Sequence, residues 1–210
     1  MKTRVSILVI LAMVTFGIAP VKAQDHPVKF HLDYNFSFPV GSMTSGFISN
    51  TSSRGFLGSV TYDLTPHWTI GGQFGFQDYY QKYPRRVYNT DKTQQISAVM
   101  SNSLQTIPVM ARVEYQPLLS SQSRVLPYVS LATGINLVSY NQYLGVFSNQ
   151  QQSTLNFRAQ AGLGARMSLG KTGKWGIEAG GSYVVSPYNK FGVKDLNNLN
   201  AHAGTYLRLQ

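Results

Sequence analysis

Leu199-Asn200-Ala201-His202-Ala203-Gly204-Thr205-Tyr206-Leu207-Arg208-Leu209-Gln210 alternates without a break. Leu199, Ala201, Ala203, Thr205, Leu207 and Leu209 share one face; Asn200, His202, Gly204, Tyr206 and Arg208 share the other. This period of two is the mark of a strand with one apolar and one polar side. A strand of this kind at the end of a sequence needs a neighbour. In a closed barrel that neighbour is the first strand of the same chain.

Working outward, the same alternation recurs through the chain. Val28, Phe30, Leu32, Tyr34, Phe36 and Phe38 alternate with Lys29, His31, Asp33, Asn35 and Ser37. Further strands are expected at about 55–64, from Trp68 to about 80, at about 104–116, 126–140, 155–169 and 175–186, and at 199–210. Between them lie stretches of Ser, Thr, Gly, Asn and Gln, read as loops at 39–54, 81–102, 141–153 and 187–198. The tight connections are Thr65-Pro66-His67, the segment 117–124 and Lys171-Thr172-Gly173-Lys174. Eight strands follow, with connections that alternate long and short. Both termini are then expected on the short-turn side, with no further module beyond the last strand.

The first residues stand apart. Met1-Lys2-Thr3-Arg4 is basic, Val5 to Ala19 is apolar, and Val21-Lys22-Ala23 gives a small-x-small site before Gln24. Residues 1–23 read as a secretory signal peptide and 24–210 as one barrel domain. The formal charge of +10 includes Lys2, Arg4 and Lys22, so the remainder carries about +7. The absence of cysteine excludes a lipid-anchored cysteine, disulfides and thiolate metal sites. Charged residues make up 12% of the chain, about half the usual share, while Tyr and Phe number 13 and 11. No stretch after Ala19 suits a membrane helix. Low charge, many aromatics and many glycines point to an all-β, single eight-stranded antiparallel up-and-down transmembrane barrel.

Alternation alone leaves two orientations. A soluble barrel would turn its apolar face inward, and a membrane barrel turns it to lipid. Lipid is favoured because the apolar face carries no charge on any strand. Aromatics also gather at strand ends, with Tyr62, Trp68, Tyr115 and Trp175 at the short turns and Phe38, Phe76, Tyr140 and Phe157 towards the loops. Near the short-turn end the opposite face offers Lys29, Arg112, Arg166 and Arg208 against Asp33, Asp63, Glu114 and Glu178, four cations for four anions. A lumen just wide enough for its side chains needs such a balance. Glycines on that face (Gly71, Gly75, Gly162, Gly164, Gly180 and Gly204) leave room for the long side chains.

The spacing His202-x-Gly204-x-x-Leu207-x-Leu209 resembles the C-terminal signal by which bacterial outer-membrane barrels are recognised for insertion, although that signal usually ends on an aromatic residue. Over nearly the whole length after residue 23 the chain is similar to the small eight-stranded outer-membrane barrels, the OmpA/OmpX-like and opacity-protein-like group. The resemblance implies the bacterial outer membrane, outer-membrane lipid and lipopolysaccharide as surroundings, and the barrel-assembly machinery as partner during insertion. It also implies a monomer. The same barrel serves adhesins, structural proteins, narrow pores and lipid-modifying enzymes, so the fold leaves function open.

Three functional readings remain: a surface-exposed integral protein whose long polar loops contact lipid, host or neighbouring proteins, a narrow channel for ions or small apolar solutes, and a lipid-modifying enzyme. In the first the lumen charges form a structural plug, and in the second they line the path. Lys82, Arg85, Arg86 and Lys92 make the second long loop basic, either as a clamp on lipopolysaccharide phosphates or as an ordinary solvated loop. An enzyme needs a serine, a base and an acidic partner near the outer rim. His26, His31 and His67 lie towards the other end, which leaves His202 alone as a candidate base. No cofactor or metal site is expected, because the histidines are scattered and the glycine pairs lie inside strands. The leader speaks against nucleic acid as the match for the basic charge.

Overall fold

The computed structural model describes residues 27–45, 47–89, 95–119, 123–145, 147–170, 173–190 and 193–209. The leader, Lys92 and Gln210 lie outside them. The barrel strands are β1 (Val28–Pro39), β2 (Arg54–Asp63), β3 (Trp68–Lys82), β6 (Met100–Tyr115), β7 (Val125–Leu144), β8 (Phe147–Leu169), β9 (Trp175–Val185) and β12 (Asn198–Leu209). They close in the order β1-β12-β9-β8-β7-β6-β3-β2. Closure is made by β12 against β1, with Val28 opposite Leu209 and Pro39 opposite Asn198. Every neighbouring pair is antiparallel.

The faces are sorted opposite to those of a soluble barrel. Leu32 and Leu163 are 63% and 68% exposed on the outer wall, whereas Asn136 on the inner wall is 0% exposed. In water, apolar surface of this extent would be costly at about 25 cal/mol per Å². In lipid it is the favourable surface, and the backbone polar groups are satisfied by the closed ladder. Trp68, Tyr115 and Trp175 are exposed at the short-turn end, and Phe38 and Phe157 at the other. Trp68 packs on Tyr115 with ring centroids 4.9 Å apart.

Tyr140 departs from the expected outer aromatic belt. It is 1% exposed and points inward. The parity of β7 explains this: Val129, Leu131, Ile135 and Leu137 are outward, so the even-numbered Tyr140 shares the inner face with Tyr128 and Asn136. Phe76 is half-buried.

The long connections carry more structure than their composition suggests. The first holds a 3-10 turn at Gly41–Thr44 and a bridge from Ser52 to Ser37. The second holds a hairpin of β4 (Arg86–Asn89) and β5 (Gln95–Ala98), and the fourth one of β10 (Pro187–Lys190) and β11 (Val193–Asp195). The segment 141–153, expected as a loop, is mostly strand: β7 continues to Leu144 and β8 begins at Phe147. Above the membrane both faces of a strand meet water, so the apolar alternation that marks a strand lower down has no reason to persist. Gly145 adopts a positive φ of 65° where the ribbon turns.

Candidate functional site

Two regions of the interior gather polar or apolar side chains into a defined arrangement. The first lies towards the short-turn end of the lumen. Glu114 on β6 sits between two guanidinium groups, with Arg112 Nε 2.7 Å from its Oε1 and Arg166 Nη1 2.7 Å from its Oε2. Arg166 Nη2 donates to Glu114 Oε1 at 2.8 Å, and Arg166 Nε donates to Glu178 Oε2 at 2.7 Å. His31 Nδ1 lies 2.7 Å from the other oxygen of Glu178, and its Nε2 lies 3.0 Å from the Thr61 hydroxyl. Arg112 Nη1 donates to Gln73 at 2.9 Å. The Arg166 guanidinium stacks 4.2 Å over the Tyr128 ring, whose hydroxyl lies 3.2 Å from His202 Nε2. Gly164 is required here, since a Cβ at that position would lie 2.6 Å from the Tyr128 ring.

Nearer the short turns, Lys29 and Asp63 form a separate pair at 2.8 Å, and Thr69 donates to Asp63 at 2.7 Å. They line a cavity of about 360 Å³ with Arg166, Tyr206 and Arg208.

Of the eight charges balanced by count, six therefore enter ion pairs. Asp33 and Arg208 do not, among the described residues. The register supplies the reason. Arg208 stands directly opposite Lys29, a like charge. Asp33 stands opposite Gly204, which stands opposite Glu178, so its nearest charged neighbour across the missing side chain is another carboxylate. His31 takes a place in the chain of pairs that counting Lys, Arg, Asp and Glu did not assign. Its alternation onto the polar face of β1 was the available signal.

The second region fills the outer mouth. Met43, Phe47 and Ile48 of the first loop and Tyr188, Val193 and Leu196 of the last pack on Tyr79, Leu104, Val138 and Tyr140 of the inner wall. All ten are buried. The Ser42 hydroxyl ties the two loops together by accepting from the backbone of Lys194 at 3.0 Å and Asp195 at 2.9 Å. The Val40 amide donates to Asn197 at 3.0 Å. Asn102 and Tyr83 hold the first loop to the wall through the carbonyl of Phe47, at 3.1 and 2.8 Å. Tyr34 donates to the carbonyl of Ser53 from the outer wall.

The remaining candidates stay apart from both regions. Lys82, Arg85 and Arg86 are exposed at the end of β3 and the start of β4. Gly204, Leu207 and Leu209 lie in β12, with Leu209 exposed on the outer wall. His202 is buried in the lumen against Tyr128, and among the described residues no hydrogen bond joins it to a serine. Among the described residues no group of three or more acidic, His or Cys side chains converges as a metal site.

The geometry agrees with known barrels. The chain resembles the Neisserial surface protein A structure at 15% identity and a TM-score of 0.53, covering 89% of this chain and 98% of that one. It also matches Ail, the attachment invasion locus protein of Yersinia pestis, at 14% identity and a TM-score of 0.47, over 88% and 97% of the two chains. A major outer membrane protein from Thermus thermophilus matches at 13% identity and a TM-score of 0.49, over 87% and 99%. Identities this low speak to the fold alone. No curated protein sequence matches the chain. The model of the outer membrane protein beta-barrel domain matches residues 9–206, and the chain belongs to that family.

Proposed function

We propose that the protein is a monomeric, non-conducting, surface-exposed outer-membrane barrel that acts through its outer loops. The observation that supports this is the double filling of the lumen. The linked pairs from Arg112 to His31 occupy the lower half, and the apolar cluster of the first and last loops occupies the outer mouth. An ion crossing the barrel would have to break buried charge pairs and then pass a layer packed mainly from apolar side chains. What the barrel presents outward is the loop face. In this reading residues 1–23 are removed on export, and the C-terminal pattern with Gly204, Leu207 and Leu209 serves insertion by the assembly machinery.

The test is bilayer conductance of the refolded chain from Gln24, first confirmed as folded by its heat-dependent gel shift. The expected result is no unitary steps and no solute flux. Reproducible steps from folded protein would overturn the reading and make a channel of the lumen.

The exposed cations Lys82, Arg85 and Arg86, with Lys92 in the same loop, favour contact with lipopolysaccharide phosphate, which guanidinium groups pair bidentately. Replacing all four with Gln is expected to weaken lipopolysaccharide binding. Unchanged binding would return them to an ordinary solvated loop.

A further inference from the structure

Arg158 on β8 is, with Arg208, a lumen cation that the ion pairs among the described residues leave over. It is 4% exposed, belongs to no ion pair among the described residues, and its Nε is buried with no hydrogen-bond partner. Arg166, the nearest network member on its own strand, is eight positions away towards the short-turn end, about 26 Å at roughly 3.3 Å per residue. The carboxylates of Glu114 and Glu178 are engaged at that lower level. Arg158 therefore stands between the ion pairs and the apolar mouth, within electrostatic reach of the Tyr79 phenol but of no acid.

Its wall neighbours are unpartnered donors as well. Arg158 faces Gly134 across the β7–β8 ladder, so no side chain stands directly opposite it. One pleat further along, Asn136 faces Asn156. Asn136 is 0% exposed and neither atom of its amide has a partner; the Asn156 amide nitrogen is buried and equally unpartnered. A guanidinium and two carboxamide NH2 groups thus share one patch of the inner wall. Buried polar groups in native proteins are hydrogen-bonded in the great majority of cases. A buried lone charge left without a counter-charge is costlier still, because water satisfies its hydrogen bonds without cancelling its charge in a low-dielectric interior.

We infer that Arg158, Asn136 and Asn156 hold a small monovalent inorganic anion of halide size inside the barrel. The donors suit it: a guanidinium supplies the charge and several N–H groups, and each carboxamide supplies two more. The site goes beyond the loop-based function and does not depend on it. Its role is to complete the charge balance of the outer half of the lumen, as Glu114 does for the lower half.

The test has two arms. Crystals of the refolded barrel grown with bromide in place of chloride are expected to show an anomalous peak within hydrogen-bond distance of the Arg158 guanidinium. In solution, the folded fraction is followed by the heat-dependent gel shift while chloride replaces gluconate at constant ionic strength. The folded-to-unfolded ratio is expected to rise with chloride, about tenfold when chloride stands at ten times the dissociation constant. Arg158→Gln is expected to abolish that dependence. Asn136→Leu, which keeps the cation, is expected to weaken it several-fold. A bromide map without a peak at Arg158, or the same chloride dependence in Arg158→Gln, overturns the inference. If Arg158→Gln does not fold, the bromide map and Asn136→Leu still decide.

Discussion

The lower lumen and the outer mouth are both interiors of one barrel, built on opposite principles. The lower half is made wholly by strands, and its contacts are ion pairs and hydrogen bonds of 2.7–2.8 Å between side chains up to 147 residues apart. The outer half is made where loops return to the wall, and its packing is apolar, with hydrogen bonds tying the loops to each other and to the wall. A barrel in lipid has no apolar core available to its strands, because their apolar faces are already turned outward. Its strands stay together through ladders and paired polar groups. Only the part above the membrane, where water surrounds the chain, is free to fold by hydrophobic burial. The difference therefore follows from the solvent each half meets.

The largest effect is expected from breaking the lower half at its centre. Glu114→Gln leaves the guanidinium groups of Arg112 and Arg166 without their shared anion. Removing one partner of a buried ion pair typically costs about 3–5 kcal/mol. Urea titration of the barrel in lipid vesicles is expected to show that loss in the whole folding transition. Breaking the outer half gives a different result. Ile48→Ala deletes side-chain volume that is fully buried in the apolar cluster, a change worth about 2–5 kcal/mol in well-packed cores. Here the cost falls on the docking of the loop, because the barrel ladders do not pass through it. Limited proteolysis is expected to cut residues 40–53 readily while the urea midpoint stays near that of the parent. Equal falls in the midpoint for both variants would mean that the two halves form one cooperative unit.

A third change sharpens the lower half without altering a charge. Gly164→Ala places a methyl 2.6 Å from Tyr128 ring atoms and 2.7 Å from the carbonyl oxygen of Ala179. Overpacking of this kind costs about 1–3 kcal/mol. It also displaces the ring from the Arg166 guanidinium. The same urea titration measures it, and an unchanged midpoint would show that Tyr128 has room to move.

How far the sequence could be read follows the same division. The membrane-level parts of the eight barrel strands, closure by β12 and the outward apolar face were legible, because lipid outside and side chains inside impose a strict alternation there; the strand extensions at 141–153 and the loop hairpins were not. The charged side chains of the lumen were legible as a set for the same reason. Their partners were not. Asp33 and Arg208 differ from Asp63 and Arg166 only in what the neighbouring strand sets beside them, and register is a property of pairs of strands. The outer cluster was illegible altogether. Met43, Phe47, Ile48 and Leu196 are isolated apolar residues in stretches rich in Ser, Thr, Gly and Asn, with no period to mark them. Tyr140 shows the limit most clearly, since its parity pointed inward while its position near a strand end suggested the outer belt.

The smallest expected effect tests whether the mouth is held by burial alone. Tyr188 lies in the outer cluster, and its hydroxyl is buried without a hydrogen-bond partner among the described residues. Burial raises this phenol above its ordinary value of 10.0, because the charged phenolate is poorly solvated there. A proton held more tightly in the docked state favours docking fully below pH 10, and that contribution is lost as pH rises through the raised value. Proteolytic release of the last loop is therefore expected to increase on the alkaline side of pH 10. Tyr188→Phe removes both the ionisation and an unsatisfied hydroxyl. It is expected to dock about 1 kcal/mol more firmly and to lose the alkaline release. If the loop frees itself at high pH in the Phe variant as well, the mouth is opened by some other group, and burial of Tyr188 is not what makes its closure sensitive to pH.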